Sequence, residues 1–128
     1  MTREKAFLLI AALGLTPIAL SYGLSPSTSM WRLFEINASS VNSMHIFRAV
    51  MGLYLAMVLF WICGARYETL RLPALWSLVV FMLGLAAGRV LSLLVDGMPN
   101  PLLSVYLVLE LGLGAAGLFL IKGRSQLR

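Results

Sequence analysis

The sequence predicts an all-α membrane protein, a four-helix antiparallel transmembrane bundle with an outer loop between the first and second spans. Two features of the composition indicate this class. Of the 128 residues, 60% are apolar and only 12% are charged, and the mean hydropathy is +0.91. A water-soluble domain of this length needs far more charged surface. The third observation is that the apolar residues form four stretches of about 20 residues, the length that a helix needs to cross a bilayer.

The breaks between these stretches set the predicted boundaries of the spans. The expected spans are residues 6–24, 45–64, 73–95 and 101–121. They belong to a single domain of residues 1–128. Pro73 and Pro101 stand where a first helical turn tolerates a missing N–H group, and Asn100 is placed to cap the fourth span. Only a short turn separates the last two spans, so we expect them to form a hairpin.

The first span begins like a secretory signal, with basic residues before an apolar run. That run is longer than the usual core of a signal peptide, and no clean small-residue cleavage site follows it. We therefore expect a retained helix with a kink at Pro17.

The basic residues are distributed asymmetrically between the two sides of the membrane. Seven of the ten flank the spans on one side: Arg3, Lys5, Arg66, Arg71, Lys122, Arg124 and Arg128. The loops on the other side hold only Arg32. Because Lys and Arg accumulate in cytoplasmic loops, both termini are expected in the cytoplasm. The net charge of +5 is then a topology signal, and no nucleic-acid partner is predicted.

The longest connection, residues 25–44, is expected outside. Apolar Met30, Trp31 and Phe34 alternate there with Arg32 and Glu35. This mixture is typical of a short amphipathic helix. Such a helix lies either in the membrane interface or folded over the mouth of the bundle, and the sequence leaves both alternatives open.

Three ionisable residues fall inside the predicted spans, where charge is costly and usually pairs or serves a function. At about 1.5 Å per residue, Arg48 lies roughly 5 Å, Arg89 roughly 10 Å and Glu110 roughly 14 Å from the outer end of its span. Long side chains can bridge such heights. We therefore expect these three residues to meet in the outer half of the bilayer.

Helical spacing places other polar and small residues on the same faces as these charges. The three stripes are His45, Arg48 and Gly52 in the second span, Arg89, Ser92 and Asp96 in the third, and Tyr106, Glu110, Gly114 and Gly117 in the fourth. Small residues let helix backbones approach closely. The glycines of these stripes, and the Gly84-xxx-Gly88 pattern of the third span, are therefore expected at helix contacts, either within the bundle or with a second copy.

The intramembrane charges have two interpretations. In the first, Arg48 and Arg89 balance Glu110 and Asp96 in a satisfied network that only fixes helix register. In the second, Arg48 and Arg89 line an outward-facing pocket and hold an anionic or carbonyl-bearing amphiphile. Glu110 would then orient Arg89, and Tyr106 and His45 would donate hydrogen bonds from the pocket wall.

Cofactor and metal chemistry is not expected. His45 alone cannot ligate haem in a bis-histidine site, and a zinc site needs several more nitrogen or sulfur ligands. Cys63 is a lone cysteine with no histidine near it in sequence, so nucleophilic catalysis is not expected either. The sequence therefore favours a protein that is not an enzyme.

Several segments of the last three spans resemble a known bacterial family. They are Arg48-Ala-Val-Met-Gly52-Leu-Tyr54-Leu, Gly88-Arg89-Val-Leu-Ser92 leading to Asp96-Gly97-Met-Pro99, and Glu110. Over about the last two thirds of the chain, the sequence resembles the four-helix membrane family catalogued as domain of unknown function 4345, itself similar to the DoxX-like proteins. The resemblance implies a bacterial inner-membrane bundle with Arg48, Arg89, Asp96 and Glu110 as its polar signature.

The resemblance does not select an activity, because DoxX-like proteins range from oxidoreductase-associated subunits to assembly factors. Our leading hypothesis is a protein that binds a lipid headgroup, a quinone or another small amphiphile in the outward-facing pocket, with membrane lipids as its partners. The alternative is a subunit or assembly factor of a larger membrane complex. That protein would contact its partner, or a second copy of itself, through Gly84, Gly88 and the outer loop.

Overall fold

The structure is a computed structural model that describes residues 2–126. Its five helices are α1 (Arg3–Gly23), α2 (Pro26–Phe34), α3 (Val41–Arg66), α4 (Glu68–Val95) and α5 (Pro101–Gln126). All except α2 are long and apolar enough to cross a membrane. The predicted all-α fold with four membrane-spanning helices is therefore confirmed.

The long helices pack in the order α1, α3, α4, α5, each against the next, and α1 touches α5 only lightly. Leu8 of α1 and Leu75 and Leu78 of α4 are fully buried where these helices meet. Trp61 of α3 is also fully buried, and its indole N–H donates to Ser77 Oγ at 3.1 Å. We call the end of the bundle where α1 begins and α5 ends the terminal end, and the opposite end the α2 end.

α2 folds over the bundle, which decides between the two alternatives for the 25–44 connection. Pro26, Met30 and Phe34 recur every four residues along it and are buried, because this spacing turns all three toward the long helices. Asn100 ties the connection down: its side-chain amide donates to the carbonyl of Leu33 at 2.8 Å. Its Oδ1 accepts from the N–H of Leu102 at 2.7 Å, so Asn100 also caps α5 as predicted.

At the terminal end, a buried arginine holds the corner between α3 and α4. Arg71 is 4% exposed and donates to the carbonyl of Ala65 at 3.0 Å and to the carboxylate of Glu68. Glu68 also accepts from Arg124 of α5 at 3.2 Å. This network supports the first turn of α4, and the helix begins at Glu68. Pro73, which is predicted in the first turn of this span, therefore lies about one turn further into the helix.

The glycines divide into two groups by their surroundings. Gly114 and Gly117 of α5 are buried against α4, and a Cβ atom at Gly117 would lie 2.7 Å from Cγ2 of Val79. Gly52, Gly84 and Gly88 are exposed, and no atom lies within 4 Å of a Cβ atom built on them. The expectation that these three glycines admit a close neighbouring helix of the same chain is therefore wrong, since no helix of this chain approaches any of them closely.

Matched substitutions in α5 distinguish a packing glycine from an open one. Gly117→Ala is expected to lower the free energy of unfolding by about 1–3 kcal/mol, because the added methyl group overlaps Val79. Gly112→Ala meets open space and is expected to be neutral or to stabilise by up to about 1 kcal/mol through helix propensity. Thermal unfolding of both variants in the same detergent measures the difference. Equal effects would contradict the close α4–α5 approach.

Candidate functional site

One ion pair links α4 to α5 inside the bundle. Arg89 Nε donates to Glu110 Oε1 at 2.8 Å. The side chain of Glu110 is only 8% exposed and that of Arg89 is 22% exposed. Counted from the α2 ends of their helices, the two residues lie about 9 Å and 14 Å into the span. The structure therefore brings together two of the three intramembrane charges.

Aromatic rings surround this pair and close it from the α2 end. The guanidinium carbon of Arg89 lies 5.7 Å from the centre of the Tyr106 ring, a cation–π distance. Tyr106 packs edge-on against Phe34 of α2, and Phe34 stacks on Tyr22 of α1. Tyr22 in turn meets Tyr54 of α3 edge-on. α2 and this aromatic cluster therefore close the predicted outward-facing pocket on the α1 side, and the opening that remains toward the α2 end lies between α4 and α5.

The pair instead faces an apolar cavity that we call the α1–α5 cavity. Its volume is about 210 Å³, and its lining includes Ile10, Gly14, Tyr54, Arg89, Tyr106 and Glu110. The side of the bundle between α1 and α5 is the one with the least helix contact. Ile10, Gly14 and Leu109 of the lining are exposed on that side. The cavity consequently opens sideways, toward the region that lipid would occupy.

The cavity retains hydrogen-bonding capacity. The bond from Nε to Glu110 uses one donor of Arg89, and the hydroxyl of Tyr22 lies within hydrogen-bonding range of the guanidinium, so only part of its donor capacity is left for a guest. The hydroxyl of Tyr22 also lies within hydrogen-bonding range of that of Tyr54. Unpaired donors are costly in an apolar setting, and Arg89, Tyr54 and Tyr106 line one space that a small molecule can reach.

Arg48 does not join the cluster, contrary to the sequence-based expectation. The buried stripe of α3 is Tyr54, Val58, Trp61 and Ala65. With about 100° between successive residues, Arg48 lies about 110° and His45 about 170° round the helix from the middle of this stripe. Both are exposed. The stripe of His45, Arg48 and Gly52 therefore forms an outer face of the bundle, so neither Arg48 nor His45 lines the pocket.

Ser92 and Asp96 form a local pair at the end of α4. Ser92 Oγ donates to Asp96 Oδ2 at 2.6 Å, and both residues are exposed. Asp96 makes no ion pair within the described part of the chain. The expected four-residue balance of charges is consequently reduced to a single pair, Arg89 with Glu110.

Two residues of the site were not among the sequence-based candidates. Tyr54 and Tyr22 contact each other beside the pair, and Tyr54 also packs edge-on against Phe81 of α4. Tyr54 stands seven residues before the buried Trp61, and this heptad spacing of aromatic residues could have placed it on the inner face. Within residues 2–126, no three His, Cys, Asp or Glu side chains are grouped so as to hold a metal ion.

Comparison with known proteins identifies one family. The family described as domain of unknown function (DUF4345) matches residues 4–121. The match includes α1, so it covers more of the chain than the last two thirds, whose segments carry the resemblance to this family. No curated protein and no solved structure matches the chain.

The coupling between Arg89 and Glu110 can be measured with a double-mutant cycle. Glu110→Leu leaves a guanidinium unpaired at membrane depth and is expected to cost about 3 kcal/mol of stability. Adding Arg89→Met removes that charge, so the double variant is expected to be more stable than Glu110→Leu alone. Arg48→Met is the matched control, with an expected change within about 0.5 kcal/mol.

Thermal unfolding in detergent micelles measures the stability of the wild type, of each single variant, Glu110→Leu and Arg89→Met, and of the double variant. Additive effects of the two substitutions would show that the pair is not coupled. A large effect of Arg48→Met would contradict its place on the outer face.

Proposed function

Since the chain belongs to the family described as domain of unknown function DUF4345, we propose its function from its own geometry: it binds the polar head of a small amphiphile within the membrane. The observation that carries this proposal is that Arg89, which pairs with Glu110 through Nε, lines the apolar α1–α5 cavity with donor capacity left outside the ion pair. A lipid headgroup, a quinone or another small amphiphile would supply acceptor oxygens there. The protein is not an enzyme in this proposal.

Charge balance favours a neutral, carbonyl-bearing head over an anionic one. Arg89 and Glu110 already neutralise each other, and Arg48 is too far round α3 to add a second positive charge. An anionic head would leave one net negative charge about 10 Å inside the bilayer, where unbalanced charge is costly. A carbonyl oxygen accepts from the guanidinium without that cost, so a quinone ring or an ester fits better than a phosphate group.

The size and position of the cavity indicate how such a ligand would lie. A volume of about 210 Å³ is below the range of about 300–1,000 Å³ for pockets that enclose a whole drug-sized molecule. The cavity therefore suits a compact head, with the remaining chain of the ligand outside. Because the opening lies between α1 and α5, the tail would leave sideways into lipid, and the ligand would arrive by the same route.

The proposed setting is the inner membrane of a bacterium with both termini in the cytoplasm. Support comes from the terminal end of the bundle, where Arg3, Lys5, Arg66 and Lys122 add to the Arg71 and Arg124 network. Basic residues accumulate on the cytoplasmic side of membrane proteins. In this orientation α2 lies on the periplasmic side.

Ligand retention tests the proposal. Native mass spectrometry of the purified wild-type protein is expected to show one bound molecule of a short-tailed benzoquinone and weaker binding of phosphatidylglycerol. Gly14→Leu places a side chain in the cavity opening, where a Cβ atom has free space, and is expected to abolish binding without touching the ion pair. The double variant Arg89→Met, Glu110→Leu is expected to raise Kd about tenfold or more through loss of a charged hydrogen bond.

Two variants with substitutions outside the cavity serve as controls. Gly112→Leu adds the same side chain on α5 away from the cavity, and Arg48→Met removes an arginine that the cavity does not contact. Both are expected to bind as the wild type does. Binding that survives Gly14→Leu, or wild-type protein that retains neither probe nor any co-purified amphiphile, would overturn the proposal.

A second candidate function is that of a subunit or assembly factor of a larger membrane complex, or a homodimer. The observation in its favour is that Gly84 and Gly88 of α4 are exposed with free space above them. A helix of another chain could approach closely there. Disulfide crosslinking of a Gly84→Cys variant in native membranes tests this candidate, since a contacting second copy gives a covalent dimer. Val90→Cys, which is exposed but lies about 120° round α4 from Gly84, is expected to give none.

A further inference from the structure

A second opening reaches Arg89 from the other side of the ion pair. The α4–α5 groove has a volume of about 340 Å³ and is lined by residues that include Gly84, Gly88, Arg89, Ser92, Gly97 and Ser104. Gly97 belongs to the turn between α4 and α5, outside both helices. The groove therefore runs from the α2 end of the bundle down to the depth of Arg89.

The two glycines of α4 form the floor of this groove. No atom lies within 4 Å of a Cβ atom built on Gly84 or Gly88. Any larger side chain at either position would fill the space that the groove occupies. Arg89 lines this groove as well as the α1–α5 cavity. Its guanidinium therefore lies between two spaces that open in different directions.

We propose that the α4–α5 groove is filled with water and carries water and small polar solutes from the α2 end to Arg89. The guanidinium of Arg89 has donors outside its bond to Glu110, and these donors need acceptors at membrane depth. Its bond to Glu110 holds the guanidinium in place, so the side chain cannot extend to the membrane surface to find them. Ser92 and Ser104 line the passage above it, and their hydroxyl groups add hydrogen-bonding sites for water.

The groove differs from the α1–α5 cavity in where it leads. The cavity opens midway along the bundle through the exposed apolar residues Ile10 and Leu109. The groove reaches the turn at Gly97 and Pro99, beyond the spans, where water is present. Water can therefore enter the groove from the α2 end, although four leucines, Leu85, Leu93, Leu103 and Leu107, line the passage together with the two serines.

Cysteine accessibility tests the water-filled groove. Cys63 is the one cysteine of the chain, so Cys63→Ala provides a cysteine-free background. Gly88→Cys places a thiol in the groove, and Val108→Cys places one at the same depth of about 10 Å on an exposed face that lines neither space. Met98→Cys, in the turn between α4 and α5, marks full accessibility.

A charged, membrane-impermeant thiol reagent is applied to both sides of opened native membranes. Because reaction needs a hydrated thiolate, Gly88→Cys is expected to react at least about tenfold faster than Val108→Cys. Ser104→Cys, a nearly isosteric change at a side chain that makes no hydrogen bond in the described structure, serves as a second groove position. Pre-filling the groove with Gly84→Leu is expected to slow the reaction at Gly88→Cys and leave that at Met98→Cys unchanged.

The result can exclude the proposal in two ways. If Gly88→Cys and Ser104→Cys react as slowly as Val108→Cys while Met98→Cys reacts fast, the groove is dry. If both groove positions react only after extraction into detergent, lipid or another chain fills the groove in the membrane and water does not. The experiment does not depend on the α1–α5 cavity, so the amphiphile proposal and the water-filled groove can fail separately.

Discussion

The bond between Arg89 and Glu110 is the constraint to which the rest of the bundle conforms. A charged pair inside a bilayer must exclude lipid tails from its charges and satisfy its donors. Here α4 and α5 supply the pair, and Tyr106 and Phe34 close it from the α2 end. α2 therefore does more than connect two spans, because its buried Met30 and Phe34 cover the ion pair on the side away from the α4–α5 groove.

The same pair explains why the helices are packed unevenly. Toward the terminal end, Gly117 and Gly114 let α5 lie directly against α4, and the fully buried Leu8 and Leu78 fill the centre. Toward the α2 end the helices must separate to admit a guanidinium and three tyrosine rings, which cannot interdigitate as closely as small residues can. The spaces around Arg89 follow from this separation, with one on either side of the α4–α5 contact.

Composition and span length predict the fold, because crossing lipid leaves few alternatives for a chain this apolar. The site was less predictable. Helical spacing shows which residues share a face, but not which face is buried, so it does not reveal that the stripe of His45, Arg48 and Gly52 faces outward. In a membrane span both faces are apolar, so polarity does not distinguish the buried face from the lipid-facing one as it does in soluble helices. The aromatic heptad of Tyr54 and Trp61 was the better signal.

The position of Arg89 bears on what kind of ligand the site can use. A head bound in the α1–α5 cavity would meet Arg89 from the lipid side, while water in the proposed groove would meet it from the α2 end. The ligand could then keep its tail in lipid and still exchange hydrogen bonds with water through one guanidinium. Glu110 suits this arrangement, because it fixes Arg89 through Nε and leaves the two Nη groups outside the ion pair. A second arginine at the pair would attract anions, and its absence from the site keeps the proposed selectivity toward neutral heads.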